Sequence, residues 1–367
     1  MVGKTVAAIV LVALAATRAD RVPFLDQLPA AVVTVDDDRD ELIFELAPND
    51  LPAGLTHEAM HGGHEGHGGH DQTGAGWPPV SRITLPVSGS LYGFRVELLD
   101  SAGTALPPGL LHHLNLIDPH RRELFLPISR RVIAAWKETG GQQLPWLVFG
   151  LPFRTGDEWV LSAMLHNPTD KAYQGVRTRL IVKYVKGSRP WPFFDVSPWQ
   201  LDVLFPVGDK AFDLPPGRTV KSYQASPAIP GAVVALGGHV HERAVRISLT
   251  DVTADQLIWE GTPEVDSTTG LVTAVPVGRL YRWNRLGARV VPDHTYRVTV
   301  EYDNETGETI PQGGMGVIGG LMVPENPDAW PAADVTDTLY LADLRHYLRL
   351  PPDAAVPGEG AHHQHTH

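Results

Sequence analysis

The chain has no cysteine at all. That excludes disulfides, thiolate metal sites and a lipidated cysteine, so any metal must be held by imidazole, carboxylate or thioether groups. Positive charge is also scarce: 30 Lys and Arg stand against 42 Asp and Glu, for a net charge of −12. No general basic field is left to attract nucleic acid or anionic lipid, and no contiguous run of basic residues offsets the deficit. No apolar run is long enough for a comfortable membrane span. Gly-x-Ser-x-Gly, Gly-x-x-x-x-Gly-Lys and His-Glu-x-x-His are all missing, which leaves hydrolase, nucleotide-binding and zincin readings without a motif.

What is present is length, with 367 residues at 43% apolar, enough for two cores. The 36 Gly and 32 Pro are spread widely and favour short strands and turns over long helices. Lys4, the apolar stretch Thr5 to Ala16 and Thr17-Arg18-Ala19 read as an export signal over residues 1–19, or as a retained N-terminal membrane anchor. Export places the protein in a periplasmic or extracellular setting. A chain of this size can rely there on its core rather than on disulfides.

The rest of the sequence reads as all-β, in two antiparallel, jelly-roll-like β-sandwich domains facing across a cleft. Residues 20–56 hold two short strand patterns around the acidic turn Asp36 to Asp40. Residues 57–76 form a His/Gly loop that cannot bury a core. A first sandwich is expected over 77–190 and a second over 191–350, joined near the Pro- and aromatic-rich stretch 186–200. The tail 351–367 reads as disordered. A single short helix is expected at 127–141, closed by Gly140 and Gly141.

Against this background the histidines carry the chemistry. In "VALGGHVHERAV", His239 and His241 lie two apart on a strand, so both project from one face as a two-toothed clamp. His112 and His113 are adjacent in "GLLHHLNLID", where neighbours ordinarily point to opposite faces. Using both on one ion requires a twist, a bulge or a strand end. His166 ends the strand "WVLSAMLHNP", and Met315 sits between glycines in "QGGMGVIGG". His120, His294 and His346 are isolated. Asp118, Arg121 and Arg122 stand close enough to the His-His pair for turn contacts or for hydrogen bonds behind the ligands.

The ordered set of His-His, His-Asn-Pro, His-x-His and Gly-Met resembles the copper type II, ascorbate-dependent monooxygenases. That family includes peptidylglycine α-hydroxylating monooxygenase and dopamine β-monooxygenase, and the likeness spans roughly residues 79–345 in four short motifs. The resemblance implies two coppers. His112, His113 and His166 would hold the electron-transferring ion, and His239, His241 and Met315 the oxygen-activating, catalytic one. It further implies O2-dependent hydroxylation of a C–H bond in a small-molecule or peptide substrate, with ascorbate or another one-electron donor. A thioether with two imidazoles independently suits copper cycling between its oxidation states better than zinc, which is the fallback.

Two departures stand out. The family's animal members are disulfide-stapled, and this chain cannot be. Where the peptide-hydroxylating member has a substrate-holding arginine and tyrosine, this chain has Gly237-Gly238 and the stretch Gly316 to Gly320. The competing class is a cell-envelope copper-binding or storage protein. His57, His61, His64, His67 and His70 would then gather metal with little geometric demand. A structural or adhesive surface protein is the third class.

Overall fold

The computed structural model describes residues 21–55, 74–137, 139–187, 191–208, 210–267 and 271–356. The export segment, the histidines between 57 and 70 and the tail beyond 356 lie outside the described residues. The fold is all-β, built as antiparallel sandwiches, with one α-helix among the described residues.

In the first unit, one sheet runs in the order Val32–Asp36, Glu41–Glu45, Tyr173–Lys186, Gly89–Leu99, Phe149–Phe153, Phe194–Asp195. The facing sheet runs Ser81–Thr84, Glu158–Leu165, Leu111–Arg122, Ser129–Ala135. Alternation explains the pairing of layers. Leu114 and Leu116 meet Trp159, Leu161, Ala163 and Leu165 from one sheet and Val176, Leu180, Val182 and Tyr184 from the other in a single apolar core.

The second unit opposes Ser197–Asp202, Gly316–Pro324 and Gly231–Val240 to Gly217–Ala225, Tyr296–Asn304, Ala244–Asp251 and Gln256–Gly261. Tyr296, Val298, Val300 and Tyr302, two apart on one strand, fill the space between the sheets with Ile247, Leu249, Ile318 and Met322. The chain crosses between units without a long linker. Phe194–Asp195 still pairs with the first unit, and Ser197–Asp202 already belongs to the second.

Two expectations are corrected. The helix expected over 127–141 is instead the strand Ser129–Ala135, laddered to Leu111–Arg122. A helix there would need a solvated face, but Ser129 to Ile133 and Ala135 are all buried. Its two adjacent arginines leave by opposite faces, each to a buried carboxylate: Arg130 to Asp118 at 2.6 Å and Arg131 to Asp343 at 2.6 Å. The real helix is Thr338–Leu348, within the stretch expected to complete the second sandwich. Asp337 caps it by accepting from the N–H groups of Leu339 and Tyr340. Its face Tyr340, Leu344, Leu348, spaced by four, packs back on the first unit against Val22, Phe24, Leu25, Val80, Ile117 and Val160. The four-stranded sheet of the first unit is therefore covered on both faces.

The units share a buried seam. Leu124, Phe125 and Ile128, from the turn between Leu111–Arg122 and Ser129–Ala135, belong to the second unit's core. Beside them Glu123 is fully buried and accepts from the N–H groups of Leu124 at 2.8 Å, Arg131 at 3.2 Å and Gln200 at 3.2 Å. Burial pushes its carboxyl up from 4.5 to about 7, against the pull of those donors and of the Arg131 charge. Asp202, also driven by burial, is pushed up to about 6.

A carboxyl whose folded pKa is raised binds more protons folded than unfolded, so its ionisation costs stability. The cost is absent below 4.5, grows as pH rises and is complete above about 7. For Glu123 it amounts to roughly 3 kcal/mol. The urea midpoint is expected to fall between about pH 5 and pH 8, and Glu123→Gln to flatten that fall. An unchanged slope in the variant would assign the titration to another group.

Candidate metal centre

The ladder between Glu158–Leu165 and Leu111–Arg122 resolves the problem of two adjacent histidines. Met164 pairs with His113 and Leu165 pairs with Leu111, so His112 is the extra residue of a bulge. The bulge turns its ring toward that of His113, with ring centres 4.1 Å apart and the two Nδ1 atoms 3.2 Å apart. His166 directly follows Leu165 on the partner strand, which puts its ring 5.3 Å from that of His112.

The Nε2 of His166 lies 2.6 Å from the carbonyl oxygen of Gly109. A carbonyl only accepts, so Nε2 carries the proton of the neutral ring and Nδ1 keeps the lone pair. Burial pushes the pKa of His166 down; the Gly109 contact opposes this and the Lys137 charge adds to it. The neutral, metal-competent ring is thereby favoured.

The second cluster follows from strand register. His239 pairs with Val317 and Val240 with Gly316, so the next rung, just past the ladder, sets His241 opposite Met315. The rings of His239 and His241 are 5.7 Å apart, on one face as the two-residue spacing requires. Met315 is buried between two glycines that have no room for a side chain. A Cβ at Gly314 would meet the Phe212 ring at 2.3 Å, and one at Gly316 would meet Val300 at 2.7 Å.

A single phenol ties the two segments together. The Tyr302 hydroxyl accepts from the N–H of His241 at 2.9 Å and of Met315 at 2.9 Å, and donates to the carbonyl of Met315 at 2.5 Å. It is fully buried, and burial pushes its pKa up to about 12, so it stays a donor throughout the usable pH range.

The clusters face one another across the unit boundary and meet there. His113 and His239 have ring centres 6.3 Å apart. The Trp136 indole lies parallel to the His239 ring at 4.3 Å and edge-on to His113 at 6.0 Å. Among the described residues, no three His, Asp or Glu side chains already converge on one point as ligands. The first three rings are neighbours without converging, and the second cluster offers only two imidazoles, with Met315 on the neighbouring strand.

The other candidates are structural. Asp118 holds Arg130 and accepts from the His120 N–H, while Arg121 and Arg122 donate to the carbonyls of Trp330 and Glu123. His294 pairs with Asp251 at 2.7 Å, and His120 lies 3.9 Å from Glu158. His346 sits on the helix, beside Tyr347.

Sequence reasoning passed over Trp136 and Tyr302. Trp136 was hidden in the segment read as helix. Tyr302 had a readable signal: it falls on the inward parity of an apolar strand, where a phenol needs a buried partner.

No family model matches the chain, and no curated protein does. Among solved structures, similarity is found to the STIV MCP, with a TM-score of 0.33 and 10% identity over 77% of this chain and 96% of that one. PNGF-II matches with a TM-score of 0.35 and 9% identity over 79% of this chain and 66% of that one. The VP2 subviral particle of infectious bursal disease virus gives 0.25 and 11% over 83% and 73%. Likeness at this level carries nothing about function.

Proposed function

We propose that the chain is an exported copper-dependent monooxygenase, hydroxylating a substrate C–H bond with O2 and an external one-electron donor such as ascorbate. The observation that supports this most is the meeting of two imidazole clusters from different sandwiches, in one of which the Tyr302 hydroxyl ties the backbone of His241 to that of Met315. The donor set fits the metal. All six side chains are neutral when they ligate, and two imidazoles with a thioether suit both copper oxidation states, whereas structural zinc sites usually recruit thiolate or a fourth imidazole. When bound, copper would supply the reductive activation of O2 that no side chain here can provide.

The chain's own groups do the rest. The Gly109 carbonyl fixes the His166 tautomer and so selects Nδ1 as its donor atom. Tyr302 holds His241 and Met315 at one separation. Trp136 fills the space against His239 and keeps water from that ring. Gly238 is a close-packing position, because a Cβ there would meet Ile247 at 2.9 Å. A charged anchor for a peptide carboxylate is therefore not built at this strand, and the substrate class extends to small molecules.

The test is copper content with ascorbate-dependent O2 uptake. Near two ions per chain with uptake supports the enzyme; many loosely held ions without uptake favour storage through the histidines between 57 and 70. Met315→Ile is expected to remove copper–sulfur scattering from the reduced protein. Met322→Ile, altering a core side chain packed on Gly231, is expected to leave it intact. Volume-conserving swaps of this kind typically cost under about 1.5 kcal/mol, so both variants stay folded. A sulfur signal that persists in the Met315 variant would remove that ligand.

A further inference from the structure

We infer that the hairpin carrying Trp283, with the aromatic loops at its base, docks on an anionic lipid surface. The inference stands independently of copper. Trp283 is 97% exposed at the tip of a turn closed by the bridge between Arg282 and Arg285. An indole so fully in water has no folding role there, and its amphipathic ring suits the headgroup layer of a bilayer.

The charge around it is opposite to that of the whole molecule. From Ser267 to Pro292 there is no Asp or Glu, while Arg279, Arg282, Arg285 and Arg289 fall within eleven residues. Spaced three or four apart, they do not stand out as a basic run in the sequence; Arg282 and Arg285 face each other across the turn, and Arg279 and Arg289 lie on the two strands flanking it, both paired to Gly231–Val240. Arg289 pairs with Glu325 at 3.0 Å. Arg279, Arg282 and Arg285 are exposed and make no ion pair among the described residues. In a protein of net charge −12, an uncompensated basic tip is a directed feature rather than a consequence of composition.

The hairpin is not isolated from the rest of the apolar surface. Tyr281 packs on Phe149 at 5.1 Å, and Phe194 packs on the same ring at 5.9 Å. Around that shared ring, Trp146, Leu147, Trp191 and Phe193 are all left exposed. The N–H of Phe193 donates to the Leu147 carbonyl, which joins the two loops into one surface. Exposed aromatics beside unpaired arginines fit a layer that offers apolar depth and phosphate charge together. A purely apolar partner would leave the arginines unpaired, and a purely acidic one would leave the rings in water.

The absence of cysteine provides a clean test. Asn284→Cys in the full chain takes a single polarity-sensitive fluorophore beside Trp283, and Asp38→Cys on the first unit takes the same label as a control. With phosphatidylcholine vesicles containing phosphatidylglycerol, the label at 284 is expected to shift to the blue and become quenchable by spin-labelled lipid, while the label at 38 does neither. Replacing Arg279, Arg282 and Arg285 by Gln is expected to raise the lipid concentration needed at least tenfold, and added salt to act similarly.

A label at 284 that stays in water while the protein sediments with vesicles would assign membrane binding to the N-terminus and overturn the proposal. A blue shift that grows with protein concentration without lipid would name a second copy as the occupant and overturn it too. Equal response on vesicles of phosphatidylcholine alone would remove the anionic component.

Discussion

Tyr302→Phe is expected to destabilise the second unit by roughly 3 to 5 kcal/mol and, in the protein that still folds, to weaken the copper–sulfur signal of the reduced state. The magnitude follows from what one oxygen does. It satisfies the N–H groups of His241 and Met315 and the carbonyl of Met315, and a benzene ring in its place leaves all three without that partner. Each buried polar group stranded in this way costs about 1 to 3 kcal/mol, less at the half-buried His241.

Tyr296→Phe is the control on the same strand. Tyr296 is equally buried, but its hydroxyl accepts from the N–H of Val291 at 3.1 Å, outside both clusters. A loss of about 1 kcal/mol and an unchanged metal signal are expected there. If Tyr302→Phe lost stability but kept normal copper–sulfur scattering well below its melting temperature, the phenol would be a core hydrogen-bonding group without a role in setting the ligands.

The readable and unreadable parts of this chain divide by how local their causes are. Alternating apolar residues at 173–186 and 296–304 announce strands and their inward parity, because burial of one face acts on every second residue, whereas 158–165 is a nearly continuous apolar run buried on both faces. The same-face geometry of His239 and His241 is equally local. That His112 could join His113 needed a bulge, a condition the sequence states but does not fulfil; the slip lies in the partner strand's pairing at Leu165.

The segment 127–141 was misleading for a long-range reason. Two adjacent arginines beside an apolar run suggest a solvated helix face, but their buried partners are Asp118 and Asp343, and the second lies 212 residues away. The helix at 338–348 did carry local signs, an Asp N-cap and a face spaced by four. They do not mark the helix off from the second sandwich, because nothing nearby shows that the chain returns to the first unit.

That return sets the remaining large expectation: Asp343→Ala should cost about 3 to 5 kcal/mol, the range for removing one partner of a buried ion pair. Asp343 accepts from Arg131 through both carboxylate oxygens, at 2.9 and 2.6 Å, and also from the N–H of Ser129 at 3.0 Å. Without it the Arg131 guanidinium remains buried, with the Tyr347 ring 4.2 Å away and the Glu123 charge nearby. Arg131→Met combined with Asp343→Leu should regain most of the loss, since two apolar side chains need no counter-charge.

The consequence reaches the candidate metal centre through one strand. Leu114 pairs with Ala135, which sets Trp136 beside His113 and against His239. Undocking the helix should therefore raise amide exchange first over 338–348 and then over 131–136, and the copper binding proposed for the His113 cluster should weaken in parallel. If exchange rose in the helix alone, the strand would be held by its own ladder, and the helix would be a cover with no hand in positioning Trp136.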